Sequence, residues 1–114
     1  MILTKDQILA YKPALTQENV PELGGEVCLR VMSGMERDSL SAAWNDPKNK
    51  DRNMEAHVLV RSLVDEQGKR LFADDEVDRL AEVLPFPIIT KLAQKASELN
   101  GLAVRAALDE AGKG

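Results

Sequence analysis

The sequence predicts an α+β domain, mainly α, with about five helices and an N-terminal β-hairpin. Three observations carry this. Hydroxyl residues with a glutamine or glutamate three positions later open helical runs at Thr4 and Ser33. Val27, Leu29 and Val31 alternate with polar or small residues just after Gly24 and Gly25, the period of a strand with one buried face. The stretch Leu59 to Leu84, LVRSLVDEQGKRLFADDEVDRLAEVL, joins two helical runs through a tight turn and a short extended piece. With 114 residues the chain holds one modest core, so residues 1–101 are expected to form a single domain. Residues 102–114 are expected to form a C-terminal tail, partly helical or disordered.

Taken in order, Thr4 and Gln7 bracket a short first helix, which Pro13 must end because the residue before a proline leaves helical geometry. Strands over Thr16–Pro21 and Glu26–Met32 then make the hairpin, and Pro21, unable to donate to a ladder, places the first strand at an edge. Ser33 and Glu36 cap a second helix whose apolar side carries Met35, Leu40, Ala43 and Trp44, until Asp46 and Pro47 stop it. PKNKDRN, without an apolar residue, reads as a mobile, solvated loop. The third helix, Asn53 to Asp65, is apolar on most sides (Met54, Ala56, Val58, Leu59, Val60, Leu63, Val64) and so is either central or covered by a partner.

Gly68 sits where DEQGK must reverse, a position that calls for positive φ. Arg70, Leu71 and Phe72 cross back as an extended segment, and Asp74 is the residue best placed to accept from the free amides of the fourth helix. That helix shows Val77, Leu80, Ala81 and Leu84 and ends at Pro85 and Pro87. Pro87 can open the fifth helix, where its missing amide costs nothing. Ile88, Leu92, Ala96 and Leu99 mark its inner face, Ile89 and Ala93 widen it, and Asn100 with Gly101 form its exit.

Composition narrows the function classes. Fifteen basic against nineteen acidic residues give a formal charge of −4, the wrong sign for a chain whose main ligand is a phosphate backbone. Nucleic acid is therefore not expected as a partner. A single cysteine, Cys28, permits no internal disulfide and fits a reducing compartment. The N-terminus lacks the apolar core and cleavage site of a signal peptide, and no segment approaches the ~20 apolar residues of a membrane span, so no membrane association is expected.

Residues that could carry chemistry are few. His57 is the only histidine. A Cys28 and His57 dyad would join a strand to a distant helix without a third orienting group, so Cys28 is read as a small, partly buried residue and His57 as lying on the polar side of its helix. Two such residues are too few for a structural zinc site, and neither Asp65–Gly68 nor Asp74–Glu76 has the ligand spacing of a calcium loop. Acidic residues at Asp74–Glu76 instead oppose the dipole of the helix they precede. Gly24 and Gly25 lack the lysine and hydroxyl residue of a phosphate loop. No catalytic residue, cofactor site or metal site is expected. The remaining functional feature is apolar surface, centred on Val60, Leu63, Phe86 and Ile89, together with the unpaired edge of the hairpin.

LVDEQGKRLFADDEVDRLAE resembles the central segment of the phage tail assembly chaperones of long-tailed phages and prophages. MILTKDQILA, VPELGGEVCLRVMSGMERD and LAQKASELNGL extend the resemblance, in the family's order, over residues 1–101. One departure is Ala73, where the family often has a hydroxyl residue, which moves the expected cap to Asp74. The resemblance implies a non-enzymatic chaperone in the host cytoplasm that binds the helical tape measure protein and keeps it soluble until tube subunits displace it. It implies contact with the tail tube protein only indirectly, and self-association. From another class, a small regulatory or neutralising protein that binds one folded partner fits the same composition, and a monomeric or dimeric state would separate it from a coating chaperone.

Overall fold

Local signals in the sequence set most of the elements. The computed structural model describes residues 1–50 and 52–102. The Thr4 capping box opens α1 (Lys5–Leu9), with Thr4 N donating to Gln7 Oε1 at 2.9 Å and Gln7 N to Thr4 Oγ1 at 3.3 Å. Strands β1 (Thr16–Val20) and β2 (Gly25–Leu29) pair antiparallel from Thr16 opposite Leu29 to Val20 opposite Gly25. Pro21 leads a 3-10 turn between them, and Gly24 turns the chain at φ +81°. A second capping box, Ser33 with Glu36, opens α2 (Gly34–Asn45). Then come α3 (Met54–Ser62), β3 (Leu63–Val64), α4 (Val77–Val83) and α5 (Phe86–Leu99), with Pro87 in the first turn of α5.

Sheet order is β1-β2-β3, so β1 lies at an edge, as the proline after it requires. The third strand corrects the sequence reading, in which Leu63 and Val64 continue the third helix to Asp65. The helix stops at Ser62 because the carbonyls of Ser62 and Leu63 are claimed from outside it, by Arg30 N at 3.0 Å and Leu71 N at 3.1 Å. Leu63 and Val64 pair instead with Leu29 and Cys28. The turn after β3 follows the sequence: Asp65 Oδ1 accepts from Gln67 N and Lys69 N, Gly68 has φ +84°, and Arg70 bridges back to Val64.

Four further expectations change. Strand β2 ends at Leu29, so the alternation breaks there: Val31 is exposed and Met32 is buried. Met35, in the first turn of α2, faces solvent, while Leu40 carries that helix into the core. The polar stretch after α2 includes a 3-10 turn over Pro47–Asn49, capped by Asp46 Oδ1 accepting from Lys48 N at 3.0 Å. Asp74 does not cap the fourth helix. Ala73 N donates to Glu76 Oε1 at 2.9 Å there, closing half of a capping box for which alanine has no oxygen.

The core is aliphatic. Leu29, Leu40, Leu59, Leu92, Val20, Val60 and Val64 are its largest fully buried side chains, each contributing about 1.5–3 kcal/mol by leaving water. Helix α3 is central, with every residue from Ala56 to Ser62 buried, among α2, α4 and α5. Its broad apolar surface is thus covered from within the chain. Asn100, at the exit of α5, ties that helix to the link between β2 and α2: its Oδ1 accepts from Met32 N at 2.7 Å and its Nδ2 donates to Ala96 O at 2.7 Å. The expectation for the C-terminal tail falls on residues outside those described, apart from Leu102.

Candidate functional site

Three polar side chains lie buried on the central helix, and two of them, His57 and Arg61, stand one turn apart. His57 is 7% exposed and Arg61 2%, which corrects the placement of His57 on a polar side. Arg61 Nη1 donates to the His57 carbonyl at 2.8 Å, and Nη2 and Nε donate to Ser39 Oγ at 3.0 and 3.3 Å. Ser39 passes the interaction on, its hydroxyl donating to Asp74 Oδ2 at 2.6 Å. Asp74 also stands 3.6 Å from Arg61 and accepts from Arg70 Nη2 at 2.7 Å. Arg70 in turn donates to the Val60 carbonyl at 2.7 Å and approaches Glu36, which pairs with Arg30 at 3.2 Å. These contacts join α2, α3, the crossing segment and the end of β2.

The electrostatics follow from this geometry. The Asp74 carboxyl is held below the usual carboxylate range, first by the Ser39 hydroxyl and then by Arg70 and Arg61, with its partial burial opposing. His57 is held below its ordinary value by burial first and by Arg61 second, against the pull of Asp78 and Asp74. Burial likewise lowers Arg61, with Asp74 opposing. Serine, histidine and aspartate therefore meet around one cleft of about 440 Å³, but not in a nucleophile's order. The serine proton goes directly to the carboxylate and its oxygen receives the guanidinium, while His57 Nδ1 stands 3.5 Å from Arg61 Nη1. Such a set clamps four elements. Cys28, on β2, does not line this cleft.

The four residues expected to meet a partner divide into two kinds. Val60 and Leu63 are interior, at 0% and 4% exposed, because α3 is central and β3 is covered. Phe86 is 80% exposed at the start of α5, and Ile89, partly buried, lies one turn on. Phe86 and Ile89 line a cleft of about 340 Å³ with Met54, Ala56, Ala81 and Leu84. A second apolar groove, of about 320 Å³, opens between the hairpin, the crossing and α4, lined by Leu23, Val27, Leu71, Phe72, Val83 and Leu84, with Leu63 in its wall. Sequence reasoning missed this groove and the Arg61 cluster. The one signal for the cluster was the spacing of His57 and Arg61, which sets both on one face of a helix that is apolar on most sides.

Among the described residues, no three His, Cys, Asp or Glu side chains are grouped as metal ligands, and no helix is long and apolar enough to cross a membrane. A comparison with curated protein sequences returned no match. Among solved structures the chain resembles the tail assembly chaperone of bacteriophage HK97, with a TM-score of 0.61 at 24% identity over 82% of this chain and 94% of that one. That likeness is one of fold. The sequence model described as phage tail assembly chaperone matches residues 9–113, from the end of α1 through the whole helical body, and on that match the chain belongs to the phage tail assembly chaperone family.

Proposed function

We propose that this protein is a non-enzymatic chaperone that binds the tape measure protein in the host cytoplasm, keeps it soluble, and is displaced as tail tube subunits polymerise. The observation that supports this reading best is Phe86, a large aromatic side chain left 80% exposed at a cleft where Ile89, Leu84 and Met54 lie beside the polar Asn53 and Glu55. An aromatic anchor beside a cleft with an apolar floor and a polar margin suits an amphipathic helix, which is how a long helical client would be held through many weak contacts. Phe86 and Ile89 are assigned to that contact, while Val60 and Leu63 support it from the core. Self-association belongs to the same reading, since a long client needs several copies along it. The task requires no cofactor.

The test is co-expression with the tape measure protein, followed by pull-down and measurement of its soluble fraction. Phe86→Asp is expected to fold as the wild type, because the side chain is already in water, and to lose most of the captured tape measure protein. Undiminished capture by Phe86→Asp would remove this cleft from the mechanism, and no capture by the wild type would overturn the reading itself.

A further inference from the structure

We infer that the helix held at the Phe86 cleft carries lysine or arginine along one margin, and that Glu55, Asp75 and Asp78 receive those cations. The inference rests on the client binding of the proposed function and names the chemistry of the segment bound. The Phe86 cleft does not end at its apolar floor. Asn53 lines it and also lines the larger cleft of about 440 Å³ around Asp74, so the two open side by side. On α4 the boundary falls within one turn, where Ala81 belongs to the Phe86 cleft and Asp78 to its neighbour. Asn53 Nδ2 donates to Asp78 Oδ1 at 2.9 Å across that boundary, which holds the carboxylate at the margin. Glu55 lies on the Phe86 side, where Thr90 Oγ1 donates to it at 3.0 Å.

Charge selects the occupant. The joined lining holds five carboxylates against two guanidiniums, a balance of −3. Arg61 and Asp74 are spent on each other and on Ser39. Glu55, Asp75 and Asp78 are exposed, and among the described residues none of them has an ion-pair partner, the neighbouring Arg52 included. Uncompensated carboxylates bordering an apolar cleft favour a helix whose apolar face is bordered by cations, and they disfavour an acidic one. A second copy of this chain, with a net charge of −4, is disfavoured on the same ground.

His57 gives a second, independent sign of a ligand. It is 7% exposed in the wall of the acidic cleft, and among the described residues its ring makes no contact shorter than the 3.5 Å to Arg61 Nη1. Its Nε2 takes no hydrogen bond there, and it is not sealed off either, since Ser62 Oγ is the sealed polar atom without a partner; Nε2 therefore opens on the cleft. Burial and Arg61 hold the ring neutral, so it adds no positive charge against an incoming cation. A buried polar group is ordinarily hydrogen-bonded, and an uncommitted one facing a cleft marks a position for a polar group from outside. Apolar floor, acidic margin and this open nitrogen lie in sequence across the face, as the apolar side, the basic margin and the polar side do around an amphipathic helix.

Fluorescence anisotropy of two labelled amphipathic helical peptides with the full chain tests the inference. Both peptides carry the same leucine and alanine face; one has lysines along the margin and the other glutamates. The wild type should bind the lysine peptide about tenfold more tightly at low salt, and the difference should shrink as salt is added. Glu55→Gln/Asp75→Asn/Asp78→Asn keeps an acceptor for Thr90 and for Asn53, should match the wild type by circular dichroism, and should bind the two peptides alike. Asp75→Asn alone, at an exposed carboxylate without a bond among the described residues, should cut the preference about threefold. Glu22→Gln/Glu26→Gln/Glu66→Gln removes as much charge from exposed positions outside both clefts and should keep the preference. Equal binding of the two peptides by the wild type, no binding of the lysine peptide, or a preference that survives the first triple variant or disappears in the second would overturn the inference. Capture of the tape measure protein separates this inference from the reading beneath it. Capture that depends on Phe86 but is undiminished in the Glu55, Asp75 and Asp78 variant overturns the inference alone, whereas no capture by the wild type overturns that reading.

Discussion

Removing the Asp74 carboxylate should expose how much the fold depends on neutralising Arg61. In Asp74→Ala the Ser39 hydroxyl loses its acceptor and Arg70 its 2.7 Å ion pair, and Arg61 is left 2% exposed near Arg70 with Glu36, 3.6 Å from Arg70, as the carboxylate that still acts on both. Breaking a fully buried pair costs about 3–5 kcal/mol and an exposed one about 0.2–1 kcal/mol. The Arg61 side chain is 3% exposed and that of Asp74 45%, and Arg61 keeps its bonds to the His57 carbonyl and Ser39, so a loss of about 2 kcal/mol is expected. For a chain this size that lowers the thermal midpoint by about 8 °C. Calorimetry and urea unfolding of wild type, Asp74→Ala, Arg61→Met and the double variant measure it. The double variant should be more stable than the sum of the single losses allows, because removing the guanidinium removes the stranded charge. The pH dependence fixes the sign. Asp74 has a lower pKa folded than unfolded, so its contribution is present above the unfolded value of 3.8 and is lost as pH falls through the folded one. The gap between wild type and Asp74→Ala should therefore close in acid. A midpoint within 2 °C of wild type at neutral pH, or simple additivity in the cycle, would refute the reasoning.

Four further outcomes follow from the structure. Gly68→Val places a β-branched residue at φ +84° and should cost on the order of 1–2 kcal/mol, read as a midpoint several degrees lower; an unchanged midpoint would mean the turn does not hold that conformation. His57 has a depressed folded pKa, so wild-type stability should decline as pH falls below its ordinary value of about 6.5, and His57→Gln should flatten that slope in urea titrations run between pH 7 and 5. Asn100→Ala leaves the Met32 amide without its 2.7 Å acceptor and should cost about 1 kcal/mol or more, with faster hydrogen exchange at Met32 as the local sign. Ser62 Oγ is buried without a partner among the described residues, so Ser62→Ala should be neutral or stabilising in the same unfolding assay, whereas a loss above about 1 kcal/mol would reveal a partner for that hydroxyl.

What the sequence disclosed divides by the reach of the interaction. Thr4, Ser33 and Gly68 were legible because a capping box and a reversed turn are settled within three or four residues, and each stands where expected. Leu63 and Val64 were not, because an apolar pair continues a helix or starts a strand equally well. The choice falls to Arg30, Leu71 and Cys28, which take the carbonyls and the pairing edge from elsewhere in the chain. Asp74 shows the same limit for a polar side chain. Locally it is a helix cap, yet a charge-assisted bond to Arg70 and a hydroxyl bond from Ser39, 35 residues away, outweigh one bond to a peptide N–H. Val60 and Leu63 lie in the interior for a related reason. A helix apolar on most sides reads alike whether its cover is another chain or its own, and here α2, α4 and α5 supply the cover. What remains exposed is what those helices cannot reach. Phe86 stands where α5 begins beyond the edge of the core, and Ile8 and Leu9 lie ahead of the first strand, so both surfaces sit where the body ends and leaves them uncovered.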